Sequence, residues 1–170
     1  MRVLVLTIMF ISILFNPARG AEDTSGCDKF AWSIVREHGW FAASDKPVIA
    51  AGSMLSSFPR GAFVLNLQPG TRASFTRPPE RAPKSEGWFG GAVWLPAIER
   101  PGIYQVTLSE EAWIDVVQDD RFARSIGSSG RRDCQGLRKS VRFELSAAPA
   151  VLQLSGAAAE SVAVAITPVE

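Results

Sequence analysis

The stretch Gly102-Ile103-Tyr104-Gln105-Val106-Thr107-Leu108, followed after Ser109-Glu110-Glu111 by Ala112-Trp113-Ile114-Asp115-Val116-Val117-Gln118, decides the fold. Tyr104, Val106 and Leu108 fall on one side of a pleated chain and Gln105 and Thr107 on the other, a period of two that only a strand produces. Residues 113–117 and 142–145 alternate in the same way. The pattern reads as half-buried sheet, with one face on a core and one toward water.

Working outward, residues 62–67, 72–75, 90–95, 103–108, 112–118, 141–145, 151–154 and 162–166 are strand candidates, and a further run covers 48–55. Gly, Pro, Ser and acidic turns separate them, Pro69-Gly70 being the clearest. Parallel units would need a helix at each crossover, and the sequence offers none between these runs. The expectation is an all-β, antiparallel β-sandwich or jelly roll of about eight strands. Residues 76–87 hold Pro78, Pro79 and Pro83 among five charges and read as a surface loop. One helix is expected over 27–43, where Phe30, Ala31, Ile34, Val35, Trp40 and Phe41 form an apolar stripe and Lys29, Arg36 and Glu37 are left for the other face. Ser25 or Asp28 is its expected cap, and Gly39 is expected to end or kink it.

Residues 1–20 read as a secretory signal: Arg2 at the start, an apolar run over 3–15, and Ala18-Arg19-Gly20 before Ala21. The run is too short for a membrane anchor, so no stable membrane insertion is expected after cleavage. Of 170 residues, removal of those 20 leaves 150, one domain over 21–170. The leader takes two of the 18 basic residues with it, so 16 face 17 acids and the net charge is −1. That balance gives no reason to expect nucleic acid as a partner. Export implies a periplasmic or secreted protein, an oxidising setting, and pairing of Cys27 with Cys134. Free thiols for redox chemistry are the weaker alternative, since there is no Cys-x-x-Cys and no His adjacent in sequence.

Four segments resemble a family of small exported alphaproteobacterial proteins that mostly carry no functional assignment: residues 26–32 (GCDKFAW), 78–81 (PPER), 112–118 (AWIDVVQ) and 134–145 (CQGLRKSVRFEL). Residues 102–166 also bear a likeness to the pre-peptidase C-terminal β-sandwich. Some members of the first family are labelled homogentisate 1,2-dioxygenase, which implies non-haem iron held by two His and one carboxylate. This chain has one histidine, His38, so neither that triad nor a His-rich zinc site is expected from one subunit, and no cofactor is assigned. His38 is instead expected to line the helix end beside Gly39.

No Gly-x-Ser-x-Gly elbow is present, and Gly127-Ser128-Ser129-Gly130 reads as a flexible turn. Glu110-Glu111, Asp119-Asp120 and Asp115 are candidates for paired-carboxylate chemistry, with turn positions as the plainer reading. Two binding features remain. Arg121, Arg124, Arg131, Arg132, Arg138, Lys139 and Arg142 form a basic run suited to an anionic ligand or to a solvated strand face. Trp88 and Trp94 flank Gly90-Gly91 and would stack a saccharide or fill the core, while Trp113 reads as core. The resulting expectation is a non-catalytic binding or structural module for an anionic or saccharide ligand or an envelope protein. Its expected ligand residues are Arg131, Arg132, Arg138, Lys139, Trp88 and Trp94.

Overall fold

A computed structural model of the protein describes residues 26–169. The leader, its cleavage site and Ser25 lie outside the described residues. Eleven strands follow a short N-terminal cover: β1 (Val48–Ala50), β2 (Phe63–Asn66), β3 (Gln68–Pro69), β4 (Phe89–Leu95), β5 (Gly102–Leu108), β6 (Trp113–Gln118), β7 (Arg121–Phe122), β8 (Ser125–Gly130), β9 (Lys139–Leu145), β10 (Ala150–Ala157) and β11 (Ser161–Pro168). They form a six-stranded sheet, β1-β2-β11-β5-β9-β8, and a five-stranded sheet, β3-β4-β10-β6-β7. All pairings are antiparallel except β1 with β2. The all-β sandwich is thus as expected, with more strands.

The core lies between the sheets. Tyr104, Val106 and Leu108 of β5 meet Ile114 and Val116 of β6 there, with Val141, Phe143, Leu152, Leu154, Val164 and Ile166. The alternation sets this arrangement, since every second residue of each strand must leave water.

The outer faces depart from the expected half-buried pattern. Gln105, Thr107, Ser140 and Thr167 point away from the core of the six-stranded sheet yet are 3% exposed or less. The N-terminal segment lies over them: Ala31 N–H donates to Ser129 Oγ (3.0 Å), Trp32 Nε1 to Ser140 Oγ (3.0 Å), and Thr167 Oγ1 to Glu37 Oε1 (2.7 Å). On the five-stranded sheet, Asp115 and Gln153 are buried in the same way beneath the proline-rich loop. Gln153 Oε1 accepts from Thr76 N–H, Thr76 Oγ1 and Arg77 N–H, and its Nε2 donates to Arg77 O. Asp115 accepts from Glu80 N–H and Trp113 Nε1. The loop at 76–87 is therefore a strap held flat against the sheet.

These contacts explain the other differences from expectation. The helix expected over 27–43 is a 3₁₀ turn, Cys27–Lys29, and a separate α1, Val35–Ala42. Between them Phe30 turns extended, and residues 31 and 32 bond to the sheet rather than to neighbouring residues of a helix. Phe30 and Ile34 keep the buried stripe, packed on Leu137 and the Cys27–Cys134 bridge, whereas Val35 is 77% exposed. Glu37, expected to face water, is 1% exposed against Thr167. Neither Asp28 nor any other side chain caps α1, and Gly39 lies within it rather than at its end. The expected strand over 72–75 is replaced by β3, and Gly127-Ser128-Ser129-Gly130 is part of edge strand β8 rather than a turn. Trp32 lies over Gly127, at a distance where even a Cβ there would make only ordinary van der Waals contact with its ring.

Candidate functional site

The basic run is largely partnered within the fold. Arg131 forks onto Asp133 (2.8 and 2.9 Å), and that hydrogen bond, ahead of the nearby charges of Arg131 and Lys29, holds the Asp133 carboxyl down at about 2. Lys139 donates to Ala112 O (2.8 Å) and Glu111 (3.3 Å) and lies over the Trp113 ring. Arg124 meets Glu144 at 3.4 Å, and Arg138 donates to the Arg132 carbonyl. Among the described residues the Arg132 and Arg121 guanidinium groups have no such partner, and Arg121 is on β7, in the other sheet from β9.

Arg142 differs. Projecting from the outer face of β9, it donates to Gln105 Oε1 (3.2 Å), and its guanidinium lies 4.3 Å from the centroid of the Trp32 ring. Arg36 of α1 lies 5.7 Å from the Trp40 ring and donates to Pro168 O (3.3 Å). Both arginines line one groove of about 460 Å³ between the cover and the six-stranded sheet, together with Ser33, Glu37 and Gln105. Its size falls in the range of small-molecule sites. The carboxylate of Glu37, 3.7 Å from Arg36 Nε, adds one negative charge beside two positive ones.

The aromatic pair does not form a platform. Trp88 stacks on Phe75 at 6.3 Å and lies against Gly70 and Gly90, where a side chain at either glycine would collide with its ring. Trp94 is six residues further on, roughly 20 Å along an extended chain, on the outer face of β4 beside Val151. Both are half-buried. Trp113, expected in the core, is on the outer face of β6, where Arg81 and Lys139 lie over its ring, because the strap covers it and Asp115 takes its N–H.

The carboxylate candidates have structural partners or turn positions. Asp119 and Asp120 both adopt positive φ in the two-residue turn between β6 and β7, and Asp120 also binds Arg77 at 3.0 Å. Glu110 and Glu111 link β5 to β6. Burial raises the Asp115 pKa, outweighing the hydrogen bonds from Trp113 and Glu80 that lower it.

His38 is in α1, its backbone N–H bonded to Ile34 O (2.8 Å). Its side chain reaches the bridge: donor atoms of Cys27, His38 and Cys134 lie within 4.8 Å of one another. The histidine absent from the sequence neighbourhood of either cysteine is thus supplied by the fold. The groove residues Arg36, Glu37 and Gln105 were not evident as a group from sequence. One signal for them existed: the outward positions of β5 and β11, Gln105, Thr107, Ala163, Ala165 and Thr167, carry no charge, which is unusual for a face open to water.

Compared with known proteins, the chain matches no family model, no curated protein and no solved structure. Among the described residues no helix is long and apolar enough to cross a membrane. The bridge fits an oxidising, non-cytoplasmic setting.

Proposed function

We propose that this protein is an exported, periplasmic or secreted, non-catalytic binding module whose ligand is a carboxylated saccharide held in the groove between α1 and the six-stranded sheet. The observation that carries this reading is the pair of guanidinium groups, Arg36 and Arg142, each lying over a tryptophan ring and both lining the same 460 Å³ groove. An arginine fork matches a carboxylate, and stacking on an aromatic ring keeps it oriented without neutralising it. Ser33 offers a hydroxyl at the groove wall, while Gln105 and Glu37, buried behind it, orient Arg142 and accept from Thr167, respectively. The Glu37 carboxylate leaves the groove with one net positive charge, which suits a monoanion better than a phosphate dianion.

Calorimetric titration with glucuronate and galacturonate, and with glucose as the neutral control, tests the proposal. Binding of a uronate but not of glucose, lost in Arg142→Gln and weakened in Arg36→Gln, is expected. Charge reversal at Arg131, Arg132, Arg138 and Lys139 is expected to leave it intact. Equal binding by Arg142→Gln, or no uronate binding at all, overturns the groove assignment.

The dioxygenase reading would need two histidines and a carboxylate on one iron, and the sequence has one histidine, His38.

A further inference from the structure

A second hollow of about 470 Å³ opens in the N-terminal cover, sharing residues Ser33 and Val35 with the arginine groove. Cys27, Phe30, Trp32, Ile34 and His38 are among its walls, so the bridge and the histidine border the same space. Their donor atoms come from three segments: the 3₁₀ turn, α1, and the loop between β8 and β9. Phe30, Ile34 and Leu137 pack around the bridge, Leu137 being fully buried, so these segments are gathered by apolar contact as well as by the covalent link.

We propose that, once the bridge is reduced, Cys27, Cys134 and His38 bind a thiophilic cation, Zn²⁺ or Cu(I), so that the disulfide is the closed state of a redox-gated metal site. Two thiolates and an imidazole are the donor set these ions favour over Mg²⁺ or Ca²⁺. A tetrahedral site with Zn–S near 2.3 Å and Zn–N near 2.0 Å requires donors about 3.5–3.8 Å apart; the imidazole lies within 4.8 Å of both sulfurs, and the two sulfurs, bonded to each other in the bridge, part on reduction to span the metal. Three protein ligands complete a trigonal Cu(I) site, and for Zn²⁺ they leave a fourth position for water or an incoming ligand from the hollow. The bridged form has no thiolate to offer, so bridge and metal exclude each other. This inference is independent of the saccharide groove.

The chemistry balances with a water-soluble phosphine as reductant. The Sγ–Sγ bond breaks, phosphorus is oxidised to the phosphine oxide with oxygen from water, and the two protons of that water end on the two Sγ atoms. The metal ion then displaces both thiol protons to the buffer.

The test uses the full mature chain, oxidised and phosphine-reduced, the latter desalted without oxygen and titrated separately with Zn²⁺ and Cu(I) against chromophoric chelators. One equivalent of at least one ion is expected in the reduced protein and none in the oxidised. His38→Ala should weaken binding by about tenfold or more, with the β-sheet circular dichroism of both forms retained. Should His38→Ala misfold, protection of the reduced wild-type thiols from iodoacetamide by the bound ion is the second measure. Absence of stoichiometric binding of either ion, a folded His38→Ala that binds as tightly as wild type, thiols alkylated equally fast with and without metal, or loss of the β signal on reduction would each overturn the proposal.

Discussion

Replacing Gln153 with Met removes the anchor of the strap while keeping the side chain's length and volume. Gln153 is 1% exposed and makes four hydrogen bonds to residues 76 and 77, at 2.7, 2.8, 3.1 and 3.2 Å. At a net value of about 0.5–1 kcal/mol each, their loss shifts strap opening by about 2–4 kcal/mol. Because tenfold in an equilibrium is about 1.4 kcal/mol, the open population should rise by about 30-fold or more. Trypsin reads this directly, since cleavage of a transiently opened segment follows its open population when reclosing is fast. Arg77 precedes Pro78 and resists the protease, so the cuts expected are after Arg81 and Lys84. Gln153→Met should be cut there about 30-fold faster than wild type or more, with the two products still held by the sandwich. A rate within about threefold of wild type, far below that minimum, would refute the claim that these bonds hold the strap.

Removing the bridge in a Cys27→Ser/Cys134→Ser variant frees a loop spanning 107 residues, for which chain entropy gives about 4.8 kcal/mol. For a domain of this size that predicts a Tm lower by about 10–20 °C; a melting curve within about 3 °C of wild type would show that the apolar contacts around Leu137 hold the cover alone. The raised Asp115 pKa means that the folded state binds its proton more tightly than the unfolded chain does. Stability from this group is therefore lost as pH rises from the ordinary value near 3.8 through the folded value. The Tm of wild type minus that of Asp115→Asn should accordingly grow as pH is lowered from 7 to about 4, and a constant difference would count against burial as the cause. Asp133 has the opposite sign: its depressed pKa contributes stability above about pH 4 that is lost as pH falls toward about 2, so acid melts of Asp133→Asn should show a shallower decline there than wild type.

The strands with clean alternation, β5, β6 and β9, were readable because one period of two fits one buried face. β8 was not, since Ser125–Gly130 has no apolar alternation and owes its strand to backbone pairing with β9. Propensity likewise failed at 30–34, where bonds to Ser129 and Ser140 of strands about a hundred residues away outcompete the helix that the apolar stripe predicts. The basic run was visible as charge, but its pairing was not. Asp133 and Arg131 are neighbours in sequence, whereas Glu111, Gln105 and Trp32 meet Lys139 and Arg142 only through the sheet.

The two covers are attached by different chemistry from the core they enclose. The core is apolar and rests on area removed from water, a force without direction. The covers add a few oriented hydrogen bonds, from Gln153 and Asp115 under the strap and from Ser129, Ser140 and Thr167 under the N-terminal segment, which the Cys27–Cys134 bridge and the apolar cluster around Leu137 also tie down at its front. Such contacts fix register, and each fails as a unit when one partner is lost, because the buried group left behind has no water. The N-terminal cover also carries Arg36, Glu37, His38 and Cys27, and therefore most of the groups that could meet a ligand or a metal. Segments held in this way open at lower free energy than core strands. A ligand bridging Arg36 on the cover and Arg142 on the sheet should thus protect amides 31–37 from hydrogen exchange more than those of β5, and an equal effect on both would place the ligand elsewhere.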